Sequence, residues 1–258
     1  MRLMKRILSA AAVLALSASL LVGCSSGTAS SVPVSASSAA ESTVSSVEET
    51  ASSAVDENEA AAAQLLNDLT GSYQELWPVI LADEYKQTWL DVCTALVGED
   101  NAEAAFEKLS SMVTGDVYGE DAVKAYANGG GAYFCGFTNS LAILTFDGET
   151  STISGTDKDG NVLFSHTYHY IGMEPVRGLY EFQSDDADSG EFTYFFLAPD
   201  TSAETYHIEF RYGSDADALS QYDAGEYAYW VASGISTDCD QTMIDNCIEL
   251  FCTENLAG

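Results

Sequence analysis

His166, His169 and His207 are the only imidazoles in this 258-residue chain, so a metal centre built on nitrogen donors has to draw on them. Zinc takes three or four N, S or O donors in a tetrahedron. Carboxylates are plentiful, with 40 Asp and Glu against 9 Lys and Arg. His207 and Glu209 lie in a run that alternates with period two, Tyr206, Ile208, Phe210 and Tyr212 against Thr205, His207, Glu209 and Arg211. On a strand those two donors share one face, polar enough to line a wet cavity or meet solvent. His166 and His169 are three apart on the run Val162 to Ile171, a spacing that sends them to opposite faces, so only one can enter a cavity with His207. One of them reaching across a barrel would complete a His-His-Glu set suited to zinc. The candidate ligands are therefore His207, Glu209, His169 and His166. The alternative is that each is a strand residue with a local polar partner.

The elements that position these residues follow from the same alternation. Glu191 to Gly213 reads as two strands joined by one turn, with Phe192, Tyr194 and Phe196 expected on the buried face of the first. Upstream, Leu141 to Phe146, Glu149 to Ser154, Val162 to Ile171 and Gly178 to Ser184 are alternating stretches separated by Asp-Gly turns, the signature of serial hairpins. Such a series favours an antiparallel barrel that covers its own edges. Helical spacing precedes it in Asn58 to Leu69, Asp83 to Met112 and Gly119 to Ala127, with a bend at Gly71 to Pro78. A closing amphipathic helix carries Ile244, Cys247, Ile248 and Phe251, with Thr237-x-x-Asp240 read as its capping box. The fold class is α+β: an antiparallel barrel with N-terminal helices and a C-terminal amphipathic helix.

Composition excludes several functions. A net charge of −31 argues against nucleic acid as a partner, because phosphate contacts need clustered Lys and Arg. The expected folded part has no nucleophile elbow, no phosphate-cradling glycine loop and no His-Glu-x-x-His, so nothing in it points to an enzyme. The acidic turns lack the ordered oxygens and late bidentate Glu of a calcium loop. Arg2, Lys5 and Arg6 precede the apolar run Ile7 to Val22, the layout of a secretory signal, and losing them takes the charge from −31 to −34. Residues 24–57, opened by Cys24, are almost all Ser, Ala, Thr, Val and Glu without aromatic residues or period, a disordered tether spreading over about 30 Å. The expected organisation is 1–23 signal, 24–57 tether and 58–258 folded domain.

Besides Cys24, five cysteines remain: Cys93, Cys135, Cys239, Cys247 and Cys252. An odd number leaves at least one thiol free or paired between chains. Cys93 with Cys135 is the favoured intramolecular pair, against buried free thiols acting as small hydrophobes. Cys247 and Cys252, five apart on a helix, point to different sides and should not bridge each other.

Two resemblances carry further expectations. Leu21-Val22-Gly23-Cys24 resembles the lipobox of bacterial lipoproteins, which implies acylation of Cys24 and anchoring at the outer face of the cytoplasmic membrane. The Gly71 to Pro78 turn, the hairpins, Asp186 to Phe192, Ala198-Pro199, Tyr206-His207-Ile208 and the closing helix resemble the ZinT family of calycins. Those are lipocalin-like, extracytoplasmic zinc- and cadmium-binding domains, also found fused to solute-binding proteins of zinc transporters. The resemblance implies a binding protein, zinc or another divalent metal as ligand, and a zinc ABC-transport system as partner. It also implies a damaged site. The family uses three histidines, and the matching positions here are Phe195, Thr205 and His207, so tight binding at that place should be lost. The alternative is a calycin module for another small ligand or a surface partner.

Overall fold

Eight antiparallel strands close on themselves in chain order in the computed structural model, which describes residues 57–113, 117–129, 131, 133–199 and 207–256. They are β1 (Gly71–Glu75), β2 (Ile143–Asp147), β3 (Thr152–Thr156), β4 (Val162–Met173), β5 (Tyr180–Ser184), β6 (Tyr194–Leu197), β7 (His207–Gly213) and β8 (Ala232–Ser236). Each pairs with its sequence neighbour, and β8 returns to β1 through Tyr73 opposite Ser236 and Glu75 opposite Gly234, which removes both sheet edges. The expected barrel and its hairpins are present. The leader 1–23, Cys24 and the tether up to residue 56 lie outside the described residues, as do Thr205 and Tyr206.

Two apolar cores share the barrel wall. Inside, Phe146, Ile153, Phe182, Phe195, Phe210 and Tyr212 are at most 1% exposed. Register puts their partners on the same face, with Phe195 opposite both Phe182 and Tyr212. Helix α1 (57–68) adds Ala62, Leu65 and Leu66 to this core. Its approach is close: a Cβ on Gly148, in the β2–β3 turn, would lie 2.4 Å from the Asn67 Cα. Outside, helices α2 (Leu76–Ile80), α3 (Lys86–Val97), α4 (Glu99–Val113) and α7 (Gln241–Leu256) bury Trp77, Trp89, Cys93, Leu109, Ile248 and Cys252 around Ile235 on the outer face of β8. Two shorter helices, α5 (Glu120–Ala127) and α6 (Ala216–Leu219), complete the set.

Several sequence expectations are corrected. The Gly71 bend is the start of β1, and Pro78 sits in the first turn of α2, where a missing N–H costs nothing. The 83–112 segment breaks into two helices at Gly98, which adopts φ +84. In the first run of the hairpin, Gly190–Phe192 forms a 3-10 turn that shifts the alternation by one. Phe195 and Leu197 therefore face the interior, and Phe196, expected inside, is buried on the outer wall opposite Arg211. The cap of α7 is Asp240, whose Oδ1 accepts the Met243 N–H at 3.0 Å, rather than Thr237. Strand β8 has small residues buried on both faces and no alternation, and for that reason the sequence pattern passes over it.

A cleft on the outer wall and three separated histidines

Pairing fixes where the four candidate ligands point. His207 stands opposite Ile235 and Glu209 opposite Ser233, and Ile235 belongs to the helix-side core. Both candidate donors therefore face outward from the barrel, beneath the helices. Ile208 and Phe210 fill the inside. His166 stands opposite Ile153 and so faces the interior, with its ring on Phe164 at 6.0 Å. His169 stands opposite Gln183 and faces out from a different part of the wall. The expected His-His-Glu set is not assembled: one histidine lies inside the wall and the other two lie outside it on β4 and β7. Among the described residues no three His, Cys, Asp or Glu side chains form a group able to hold a metal ion.

The β4 histidines instead meet the acidic loop after β5. His166 Nδ1 lies 2.7 Å from Asp186 Oδ2 and His169 Nδ1 lies 2.6 Å from Asp185 Oδ1. This loop, which lacks a calcium pattern, thus clamps two positions of β4, three residues apart, from opposite faces. Phe195, where the sequence resemblance leads one to expect a histidine, is an interior packing ring. It stacks on Tyr212 at 5.4 Å and meets Tyr168 edge-on at 5.4 Å. Tyr212 donates to the Thr138 carbonyl at 2.9 Å and accepts the Thr138 N–H at 2.6 Å. Burial raises the ionisation of both tyrosines.

Arg211, placed by the alternation on the face of His207 and Glu209, is fully buried and structural. Its guanidinium donates to the carbonyls of Leu219 and Tyr227. It also lies over the Tyr222 ring at 4.3 Å, and Arg177 lies over the same ring at 4.3 Å. Two cations thus share one tyrosine. Beneath them the buried Glu174 accepts the Arg177 backbone N–H at 2.6 Å and the Val176 N–H at 2.8 Å. This network holds the β4–β5 turn and the loop after α6 together, and it places the Arg177 side chain against Tyr133, whose hydroxyl it reaches at 3.0 Å.

Arg177 leads to the cleft. A cavity of about 270 Å³ is lined by Trp77, Met112, Tyr126, Tyr133, Arg177, Glu209 and Phe251, with Cys135, Val231 and Ser233 in its wall. A smaller lobe of about 40 Å³ shares Trp77, Glu209 and Phe251 with it and adds His207, Cys247 and Glu254. Three distant segments build it: α2 supplies Trp77, β7 supplies Glu209, and α7 supplies Phe251, whose ring meets Trp77 at 4.7 Å. Trp77 is 7% exposed, and its buried indole N–H meets no oxygen or nitrogen acceptor, only the weakly accepting Cys135 sulfur. The Cys135 thiol is its soft neighbour. Burial, reinforced by the Glu209 charge, pushes that thiol up to about 12, although contacts with Ser233 and Trp77 pull the other way. It is therefore protonated at neutral pH, and a metal would have to displace the proton.

A larger groove of about 480 Å³ between β1, β2, β3 and α2 has no comparable chemistry. Its Glu75 already accepts the Phe137 N–H at 2.5 Å, and its Asp157 accepts from the Asn161 side chain at 2.9 Å. Sequence reasoning found Glu209 and His207 but not Trp77, Arg177 or Cys135, which carry no motif and converge only through the fold.

No family model matches the sequence, and no curated protein matches it. Solved structures do. The fold is similar to a ZinT-like domain. The Zn(II)-bound ZinT-like domain of Streptococcus pneumoniae AdcA shares 15% identity at a TM-score of 0.45, covering 71% of this chain and 89% of that one. Zn(II)-bound AdcA from the same organism shares 14% at a TM-score of 0.43 over 72% of this chain, which spans 35% of that protein's length. The closed barrel described above stands on its own strand pairing, and no residue role is drawn from these likenesses.

Proposed function

We propose that this chain is a lipid-anchored, extracytoplasmic binding module with a ZinT-like calycin barrel. In this reading it works by capture rather than catalysis, without a three-histidine zinc centre. Its ligand is a small amphipathic molecule held in the outer cleft. The observation that carries the reading is the buried Trp77 N–H, whose one neighbouring acceptor is the weak Cys135 sulfur, beside an apolar space of about 270 Å³. Such a donor costs about 1–3 kcal/mol when unsatisfied, and a ligand oxygen would recover that. Trp77, Tyr126, Tyr133 and Phe251 suit an apolar or aromatic body, Arg177 an anionic end and Glu209 a cationic end.

An apolar zwitterion has all three parts. L-Phenylalanine should raise the melting temperature of the purified chain more than phenethylamine, which lacks the carboxylate, or 3-phenylpropionate, which lacks the ammonium. Glu209→Gln and Arg177→Gln should each weaken it about tenfold, the worth of one charge-assisted hydrogen bond. If none of the three compounds shifts the melting temperature, the cleft is not a site of this kind.

A second reading keeps a weakly held divalent metal at His207 and Glu209, which border one small lobe although no three donors converge there. It predicts weak zinc affinity that His207→Ala removes, and a place beside a zinc ABC-transport system. The anchor is tested separately: Cys24→Ala should abolish acyl labelling and release the protein, and unchanged membrane fractionation would refute it.

A further inference from the structure

We propose that Cys93 and Cys252 form a reversible disulfide that pins helix α7 to helix α3. The two sulfurs lie 4.0 Å apart across the helix–helix contact, and both residues are 0% exposed. Each sits on the buried face of its helix, Cys93 one turn after Trp89 and Cys252 one turn after Ile248. A disulfide needs the sulfurs to close to about 2.05 Å, so roughly 2 Å has to be shared between two side chains already facing each other. The favoured pairing from the sequence, Cys93 with Cys135, is not the one the helices bring together, and all five described cysteines are unbonded.

The chemistry is a two-electron oxidation. Two S–H bonds break and one S–S bond forms, and two protons and two electrons pass to a disulfide oxidant, which is reduced to two thiols through a mixed-disulfide intermediate. Extracytoplasmic compartments supply oxidants of that class. Burial raises both thiols, Cys252 to about 12, so the docked helices present almost no thiolate. The bond therefore forms while α7 is undocked, during folding or transient opening, and is protected afterwards. Its position has a consequence for the cleft. Phe251, Cys247 and Glu254 of α7 line the smaller lobe, so the bond fixes the helix that carries one wall. The proposal rests on the helix packing and stands whether or not the cleft holds a ligand.

The test refolds the reduced chain from denaturant in a mixture of oxidised and reduced glutathione, then alkylates, digests and maps it by mass. The expected result is a peptide pair linked through Cys93 and Cys252, lighter by two hydrogens than the free thiols. The oxidised chain should melt higher by roughly 5 °C or more, because the bond closes a long loop, and dithiothreitol should reverse the rise. Native reduced protein should oxidise far more slowly than refolding protein. In the Cys93→Ala/Cys252→Ala variant the melting temperature should be indifferent to redox state. Full alkylation of both cysteines after oxidative refolding, pairing of either with Cys135, Cys239 or Cys247, or a lower melting temperature in the linked form would each overturn the proposal. The wild-type map decides the matter even if the variant folds poorly.

Discussion

The inside of the barrel and its outer wall under the helices are made from the same strands and have opposite character. Inside, Phe195, Phe210 and Tyr212 pack ring against ring, with Phe195–Tyr212 centroids at 5.4 Å and Phe210–Tyr212 at 5.8 Å, and the Tyr212 hydroxyl is satisfied by Thr138. Outside, at alternate positions of β7, His207 and Glu209 border open space beside the buried Trp77 indole. The barrel interior is filled by rings, and the wall that meets a second layer supplies the concave surface. The difference between neighbouring residues of one strand is the period-two alternation applied to a wall that is covered on both sides.

The largest test of this contrast is alkaline. Burial raises Tyr73, Tyr222 and Tyr227 from 10.0 to about 12, with Tyr168 and Tyr212 raised in the same direction. A folded-state pKa above the unfolded one means that the native state holds its protons longer. This stability is complete below pH 10 and is lost as pH rises toward 12. The chain should unfold cooperatively in that window, with tyrosinate absorbance and loss of circular dichroism coinciding. Tyrosines titrating while the fold persists would show that the rings are not packed as described.

Next in size, Phe195→Ala removes the central interior ring and should cost about 3–5 kcal/mol by chemical denaturation. Arg211→Met leaves the carbonyls of Leu219 and Tyr227 without their donor and should cost about 2–4 kcal/mol. By contrast Glu209→Gln, at an exposed position on the outer face of β7, should change stability by less than about 0.5 kcal/mol. If Glu209→Gln cost as much as Phe195→Ala, the two faces would not differ in the way claimed.

Part of this was legible in the alternating runs. Ile208, Phe210 and Tyr212 face inward as their pattern requires, and the Asp-Gly turns mark the β2–β3 and β3–β4 hairpins. The inversion at Phe195 was not, because the 3-10 turn at Gly190–Phe192 displaces the alternation without any sequence signal stronger than one glycine. Arg211 reads as a site residue in the pattern. Its burial depends on backbone carbonyls eight and sixteen residues away, Leu219 and Tyr227. The cleft was illegible for a similar reason. Trp77, Arg177, Glu209 and Phe251 come from α2, the β4–β5 turn, β7 and α7, and only barrel closure brings them to one place.

The most direct test of the central claim, that the three histidines serve separate places and do not form a zinc centre, is a zinc titration by calorimetry of the purified chain beside its His207→Ala variant. A ligand present at a hundred times its dissociation constant stabilises the native state by about 2.7 kcal/mol, so tight binding would also show in melting. The account predicts no stoichiometric zinc at micromolar concentration, and a weak millimolar response on this acidic surface. Part of that response should survive His207→Ala. One equivalent of zinc bound at micromolar concentration and abolished by His207→Ala would contradict it.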